Sequence, residues 1–337
     1  MADRADKKAI LFDMMIDYAE KEFNIPIRKK ARTQVIQSFS KEHKQSITAT
    51  CDLLGVHRQI YYRDIKSTKE KLKLSFKVIN LVKSKRLMMP KIGTRKLYYL
   101  LNEELKELNV GRDKLFKILK ANQLLIKPKK KYHITTNSHH RFRKHKNQIK
   151  EMEFIRPEQV WVSDITYIGN RTNPSYLALI TDAYSKKIVG YNVSDSLNVR
   201  GSLSALEMAL KKRKYKNQPM IHHSDRGLQY CSSEYQKILD KNDILPSMTE
   251  QYDPYENAIA ERINEILKQE FDIDKYNTSL EIKTNLVKNA VEIYNNLRPH
   301  LSNYMLTPNQ MHQQNSIKRK QYKNKKGSDK KSLPLIY

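Results

Sequence analysis

Hydrophobic positions change their period once along this chain, near Trp161. Before that point apolar residues recur every three or four positions, as in KLSFKVINLVKSKRLM, TRKLYYLLNEELKEL and RDKLFKILKANQLL. This spacing turns one stripe of a helix toward a core. A break at Met89-Pro90-Lys91-Ile92-Gly93 separates the first of these helices from the second. After Trp161, the runs VWVSDITYI (160–168), SYLALITDAYS (175–185) and KIVGYNVSDS (187–196) are β-branched and aromatic with turn residues between them. They predict three consecutive strands. A helix over about 199–214, a strand in MIHHSD (220–225), a helix in SSEYQKILDKND and a strand in ILPSM follow. TEQYDPY (249–255) reads as a mobile loop, and 256–272 as a helix with Ile259, Ile263 and Ile266 on one side. The predicted architecture is an all-helical N-terminal part followed by a mixed sheet flanked by helices.

Within the helical part, Arg32 to Arg63 reads as helix, helix, turn, helix. Ser46 and Thr48 can cap a short helix through Leu54, Gly55 supplies a tight turn, and HRQIYYR opens the next helix. The pattern resembles a helix-turn-helix, whose second helix enters the major groove. Arg58, Tyr61 and Arg63 are then the expected DNA contacts. Residues 1–30 carry no readable role. Residues 127–150 form a basic, weakly apolar stretch that reads as a linker following phosphates, with His139 and His140 part of its surface. The domain organisation expected is 1–64, an N-terminal helical region with the helix-turn-helix; 65–126, a second helical DNA-binding domain; 127–156, a basic linker; 157–312, the mixed α/β domain with a C-terminal helix; and 313–337, a basic tail.

Charge sharpens this picture. The formal net charge is +28. Residues 1–150 contribute +23, residues 151–316 contribute −2 and residues 317–337 contribute +7. An excess confined to two regions points to a polyanion partner. The basic run after the helix over 199–214, with Lys211, Lys212 and Arg213, is a second candidate for backbone phosphates. No segment reaches the ~18 consecutive apolar residues of a membrane span. Two cysteines without paired spacing argue against a disulfide scaffold and a cysteine-rich zinc site. The expected location is the cytoplasm, at the nucleoid.

In a chain this basic, acids gathered at one place need a cause, and a pair of divalent cations acting on a phosphodiester supplies one. Asp164 lies mid-strand among apolar residues, where an unpaired carboxylate is costly. Asp225, in HHSDRG, ends a strand but is also a good turn former. On the last predicted helix Glu256, Glu261 and Glu265 compete, and spacing alone does not choose among them.

Three antiparallel strands followed by helix, strand, helix, strand and helix is the order of the ribonuclease-H-like fold. The runs WVSDITYI, HHSDRGLQY, SMTEQYDPYENAIAERINEILKQE and YNNLRPHLSNYMLTPNQM (294–311) occur in that order. Together they resemble the DDE transposases of the third insertion-sequence family, whose catalytic core is shared with retroviral integrases. The resemblance covers roughly residues 45–312, and residues 226 to 260 reproduce the family's 35-residue gap between the second acid and the glutamate. It implies a catalytic, metal-binding triad of Asp164, Asp225 and Glu261 holding two Mg²⁺ ions, with Mn²⁺ as a substitute. It implies that Lys268, seven positions after Glu261, approaches the DNA end. It further implies terminal inverted repeats and target DNA as double-stranded partners, a homo-oligomer on paired ends and a circular intermediate. Where the family often has Asp-Asn-Ala, this chain has Glu256-Asn257-Ala258, and two lone cysteines cannot build the zinc module of retroviral integrases. The rival readings are a ribonuclease-H-like nuclease without strand transfer and a DNA-binding regulator that has lost catalysis.

Overall fold

A computed structural model of the chain describes residues 2–24, 26–127, 145–169, 174–250, 257–275 and 278–314. Residues 128–144 of the expected linker (with His139 and His140), residues 251–255 of the expected loop, Glu256 and residues 315–337 of the tail lie outside these. The chain divides into two compact units, residues 1–80 and 81–337.

The first unit holds α1 (Ala2–Glu22), α2 (Ile27–Glu42), α3 (Ile47–Leu53) and the start of α4 (Arg58–Met88). Ser46 caps α3 by accepting from the Ala49 amide at 3.1 Å. Gly55 turns the chain with φ +61°, a conformation that favours glycine. Ile36, Cys51 and Tyr61 form the small core, with Ile47 and Ile65 against it. Residues 58–88 contain neither Gly nor Pro, so the two helices expected on either side of residue 65 run on as one. The boundary expected between residues 64 and 65 therefore falls inside α4.

In the second unit, α5 (Thr94–Leu100), α6 (Asn102–Glu107) and α7 (Arg112–Ala121) bury Leu97, Leu101, Leu105, Leu115 and Leu119. The sheet follows. Its strands are β1 (Val160–Ile168), β2 (Ser175–Asp182), β3 (Ile188–Ser194), β4 (Met220–Ser224) and β5 (Ile244–Met248), in the order β3-β2-β1-β4-β5. β1 pairs antiparallel with β2 and parallel with β4, and β5 extends the parallel side. Helix α8 (Val199–Lys211) crosses from β3 to β4, and α9 (Leu228–Cys231) with α10 (Ser233–Lys241) connects β4 to β5. This is the ribonuclease-H-like arrangement.

The strands read as nearly unbroken apolar runs because helices cover both sheet faces. Ala178 and Ile180 of β2 join the α8–α10 core, whereas Leu177 and Leu179 face α11 (Ala258–Glu270) and α12 (Leu280–Asn296). One close approach demands glycine: a Cβ at Gly190 would lie 2.1 Å from the Ala205 carbonyl oxygen, so α8 packs directly on the β3 backbone. The last helix, α13 (Pro308–His312), is closed by a Thr307–Gln310 capping box. Its buried His312 sits 3.5 Å from Glu158, 3.6 Å from Asp182 and 3.0 Å from the Ser185 hydroxyl. Among the described residues, no helix is long and apolar enough to cross a membrane.

The C-terminal end of α11 is held by a buried charge cluster. Arg298, itself 1% exposed, donates from Nε and Nη2 to both oxygens of Glu270 at 2.8 Å, and Lys96 of α5 donates to the same carboxylate at 2.7 Å. Burial by itself would raise the Glu270 carboxyl, but the hydrogen bonds and charges of Arg298 and Lys96 outweigh it and bring it down to about 2. A carboxyl lowered in the fold stabilises above its unfolded value near 4.5 and loses that contribution as pH falls toward 2. The shift corresponds to about 3 kcal/mol. Glu270→Gln should cost at least that order at neutral pH, because it leaves buried cations short of their partner. It should also flatten the acid side of the stability profile, followed by thermal denaturation between pH 5 and pH 2. A profile identical to that of the native chain rules out this clamp.

Candidate active site

The parallel register of β1 and β4 pairs Ser163 with Ser224. Asp164 is the next residue of β1 and Asp225 the first residue beyond β4, so two acids stand at neighbouring positions on strands ~4.8 Å apart. Both are half-buried. One Asp225 oxygen accepts from the Gly227 amide at 3.0 Å, so a turn-forming role and the placement beside Asp164 coexist.

Helix α11 brings the third acid. Asn257, Glu261, Asn264 and Lys268 recur at i, i+4, i+7 and i+11, which puts them on one stripe of the helix. Three members of the stripe are tied to β1. Asn257 Nδ2 donates to the Ser163 carbonyl at 3.0 Å, Asn264 Nδ2 donates to Asp164 Oδ2 at 2.7 Å, and Lys268 Nζ donates to Thr166 Oγ1. The adjoining apolar positions, Ala260, Ile263, Ile266 and Leu267, are buried against the sheet and α12. The helix is therefore both packed and laced along the strand that carries Asp164, with Glu261 between two lacing points.

The electrostatics agree with this convergence. The Asp164 carboxyl is pushed up to about 7, first by burial and then by the charge of Asp225, with Glu261 adding to it and the Asn264 hydrogen bond opposing it. Glu261 is raised by burial, by Glu265 and by Asp225. Glu265 and Glu261 are both exposed, but Glu265 bonds Arg262 at 2.8 Å and, unlike Glu261, is not among the charges felt by Asp164. Glu256 lies outside the described residues. Among the described residues, no three His, Cys, Asp or Glu side chains are gathered tightly enough to chelate an ion as they stand. The donor set nonetheless fits a hard divalent cation: all-oxygen ligands whose mutual repulsion a positive charge among them would relieve.

Two of the expected DNA contacts are elsewhere. Tyr61 is buried in the core of the first unit, a correction to its expected role; helical periodicity turns Tyr62 outward instead, while Arg58 and Arg63 are exposed. Lys211 and Lys212 are exposed, but Arg213 is buried and donates to the carbonyls of Gln218 at 2.7 Å and Asn242 at 3.4 Å. That guanidinium closes the α8–β4 connection and is not on offer to a phosphate. Sequence reasoning missed Asn257 and Asn264, although their spacing from Glu261 was visible as a polar stripe on an otherwise apolar helix.

Residues 155–254 and 242–308 match the family described as the integrase core domain. The 31 kDa protein of insertion element IS600 from Shigella sonnei is 33% identical over 260 residues, covering 74% of this chain and 92% of that protein. The transposase InsF of insertion sequence IS3fB from Escherichia coli K12 is 36% identical over 160 residues, 47% of this chain and only 55% of InsF. Among solved structures, the HTLV-2 integrase catalytic core in complex with magnesium aligns at 20% identity over 48% of this chain and 99% of that one, with a TM-score of 0.38. A chain of the simian T-cell lymphotropic virus intasome in complex with PP2A regulatory subunit B56 gamma aligns at 18% identity over 72% of this chain and 79% of that one, with a TM-score of 0.42. By the family match, the chain carries an integrase core domain. It belongs to the DDE transposases of the IS3 family.

The repulsion around Asp164 has a measurable sign. A carboxyl raised in the fold favours folding while protonated, and that contribution is lost as pH rises from its unfolded value of 3.8 through about 7. The loss amounts to at most about 4 kcal/mol. In chelator, Asp164→Asn should raise the melting temperature at pH 8 and abolish the decline between pH 5 and pH 8. Equal slopes for the two chains are incompatible with acids crowded at this position.

Proposed function

We propose that this transposase cleaves the 3′ ends of an insertion sequence and transfers them to target DNA, with Asp164, Asp225 and Glu261 holding two Mg²⁺ ions. The observation that supports this most directly is the strand register that sets Asp164 beside Asp225, with Glu261 near enough that its charge and that of Asp225 raise the Asp164 carboxyl. When bound, the ions would neutralise phosphodiester charge and activate the attacking oxygen, and Mn²⁺ can substitute. Asp164 and Asp225 are set side by side by strand register, and α11, which carries Glu261, is laced to β1, so the backbone that bears the three acids is held in place. Water first opens the phosphodiester at the element end and leaves a 3′-hydroxyl. That hydroxyl then attacks phosphorus in the target strand, forming a new P–O bond while the target's 3′-oxygen departs. No side chain becomes covalently attached.

The basic portion supplies the grip. Residues 1–64, with α3, the Gly55 turn and the exposed Arg58 and Arg63, would read the terminal inverted repeats as a helix-turn-helix does, and α5–α7 (within 65–126) would form a second contact. Residues 127–156 would be the basic connection to the catalytic domain, 157–312. Lys268, on the Glu261 stripe, and the exposed Lys211 and Lys212 would track phosphates. The active form would be a homo-oligomer on paired ends, at the nucleoid of the cytoplasm.

Asp225→Asn should abolish Mg²⁺-dependent cleavage of a labelled terminal repeat while leaving repeat binding intact by mobility shift. Cleavage at the native rate excludes Asp225 from the chemistry, and cleavage without joining to a plasmid target reduces the protein to a nuclease. Lys268→Ala should weaken end binding and lower the slope of log affinity against log salt by about 1. A slope unchanged from the native chain removes Lys268 from the phosphate contacts.

A further inference from the structure

Five residues past Asp225, the side chain of Tyr230 is 2% exposed, and its hydroxyl has no hydrogen-bond partner among the described residues. Its neighbour in the same aromatic cluster shows how a buried phenol is ordinarily accommodated. The Tyr235 hydroxyl meets His222 Nε2 at 2.9 Å, and the Ser163 hydroxyl meets the same nitrogen at 2.7 Å. The Tyr230 ring packs edge-on to Tyr235 with centroids 5.4 Å apart and lies 6.2 Å from the His222 ring, but its oxygen is left out of that network. A buried hydroxyl without a partner is costly, and such groups are rare enough to need a reason.

The neighbourhood suggests the reason. A methyl group built on Gly227 would lie 3.0 Å from Asp225 Oδ1 and 3.6 Å from the Tyr230 ring, so carboxylate and ring flank the same glycine. Tyr230 also feels the charges of both Asp225 and Asp164, after burial and Tyr235, and its ionisation is driven well above the ordinary phenol range. It stays protonated throughout the working pH range, a donor that feels the charge of two acids.

We propose that Tyr230 is a positioning residue for the metal site: its hydroxyl donates to the Asp164–Asp225 pair once a divalent cation draws the two carboxylates into place. The proposal rests on the metal-binding reading of these acids. A donor of this kind orients ligating oxygens and holds their charge, and its loss elsewhere costs roughly 10–100-fold in metal affinity. In the metal-free chain the same hydroxyl is unsatisfied, so removing it should cost nothing there. These two expectations together separate a positioning role from a packing role, because a packing role has no dependence on metal.

The experiment compares the full-length native chain with Tyr230→Phe by thermal denaturation, in chelator and then in a titration with MnCl₂. The expected result is a metal-free melting temperature equal to or above the native one, with the Mn²⁺ concentration at half-maximal shift raised about tenfold. An unchanged Mn²⁺ midpoint overturns the role of Tyr230 while leaving the metal site standing. A Tyr230→Phe chain that is destabilised without metal overturns it too, since the hydroxyl then has a partner in the empty fold. A native chain that shows no Mn²⁺ shift overturns the metal-binding reading itself, and the role of Tyr230 with it.

Discussion

Two carboxylates on adjacent parallel strands, too close to be comfortable without a cation, form the constraint around which the second unit is organised. Strand pairing is what makes the crowding unavoidable. With Ser163 opposite Ser224, Asp164 and Asp225 fall side by side whatever their side chains prefer. The central position of β1 then buries the base of the site, because helices cover both sheet faces. In a drier setting the repulsion between acids strengthens, and so does the attraction of the site for a hard cation.

Helix α11 answers the same constraint from outside the sheet. Its apolar stripe would be enough to dock it, but docking by apolar contacts tolerates sliding and rotation. Asn257 and Asn264 remove that tolerance by bonding directional donors to the backbone of Ser163 and to the carboxylate of Asp164. Glu270 pins the far end between Arg298 and Lys96. Polar bonds along a buried helix contribute less to stability than their number suggests, yet they select one register. For a helix that delivers Glu261, register is the property that matters.

Charge is divided in a way that suits this arrangement. Residues 151–316 are close to neutral, at −2, while an excess of +23 lies in residues 1–150. A positive field over the helical part attracts a polyanion, and a near-neutral core lets an acidic site exist without being cancelled by its surroundings. Lys268 shows the balance at close range, since it shares a helical stripe with Glu261 and hydrogen-bonds Thr166.

Much of this could be read from residues in order. Strand β1 ran over 160–168 as its β-branched and aromatic run predicted, and the Ser46 cap and Gly55 turn were set by local chemistry that needs no neighbours. The candidate acids, too, stood out in a basic chain. What local pattern could not reach was which side of a helix faces inward. Tyr61 and Tyr62 are adjacent and equally aromatic, and only packing against Ile36 and Cys51 buries the first. Arg213 looked like its lysine neighbours until the carbonyls of Gln218 and Asn242 claimed it. The same holds for the choice between Glu261 and Glu265, and for the unpaired hydroxyl of Tyr230. Residue type and spacing determine elements because hydrogen bonding and periodicity act within a few positions. Partners 60 to 100 residues apart are chosen by strand register and helix rotation, which exist only once the sheet has closed.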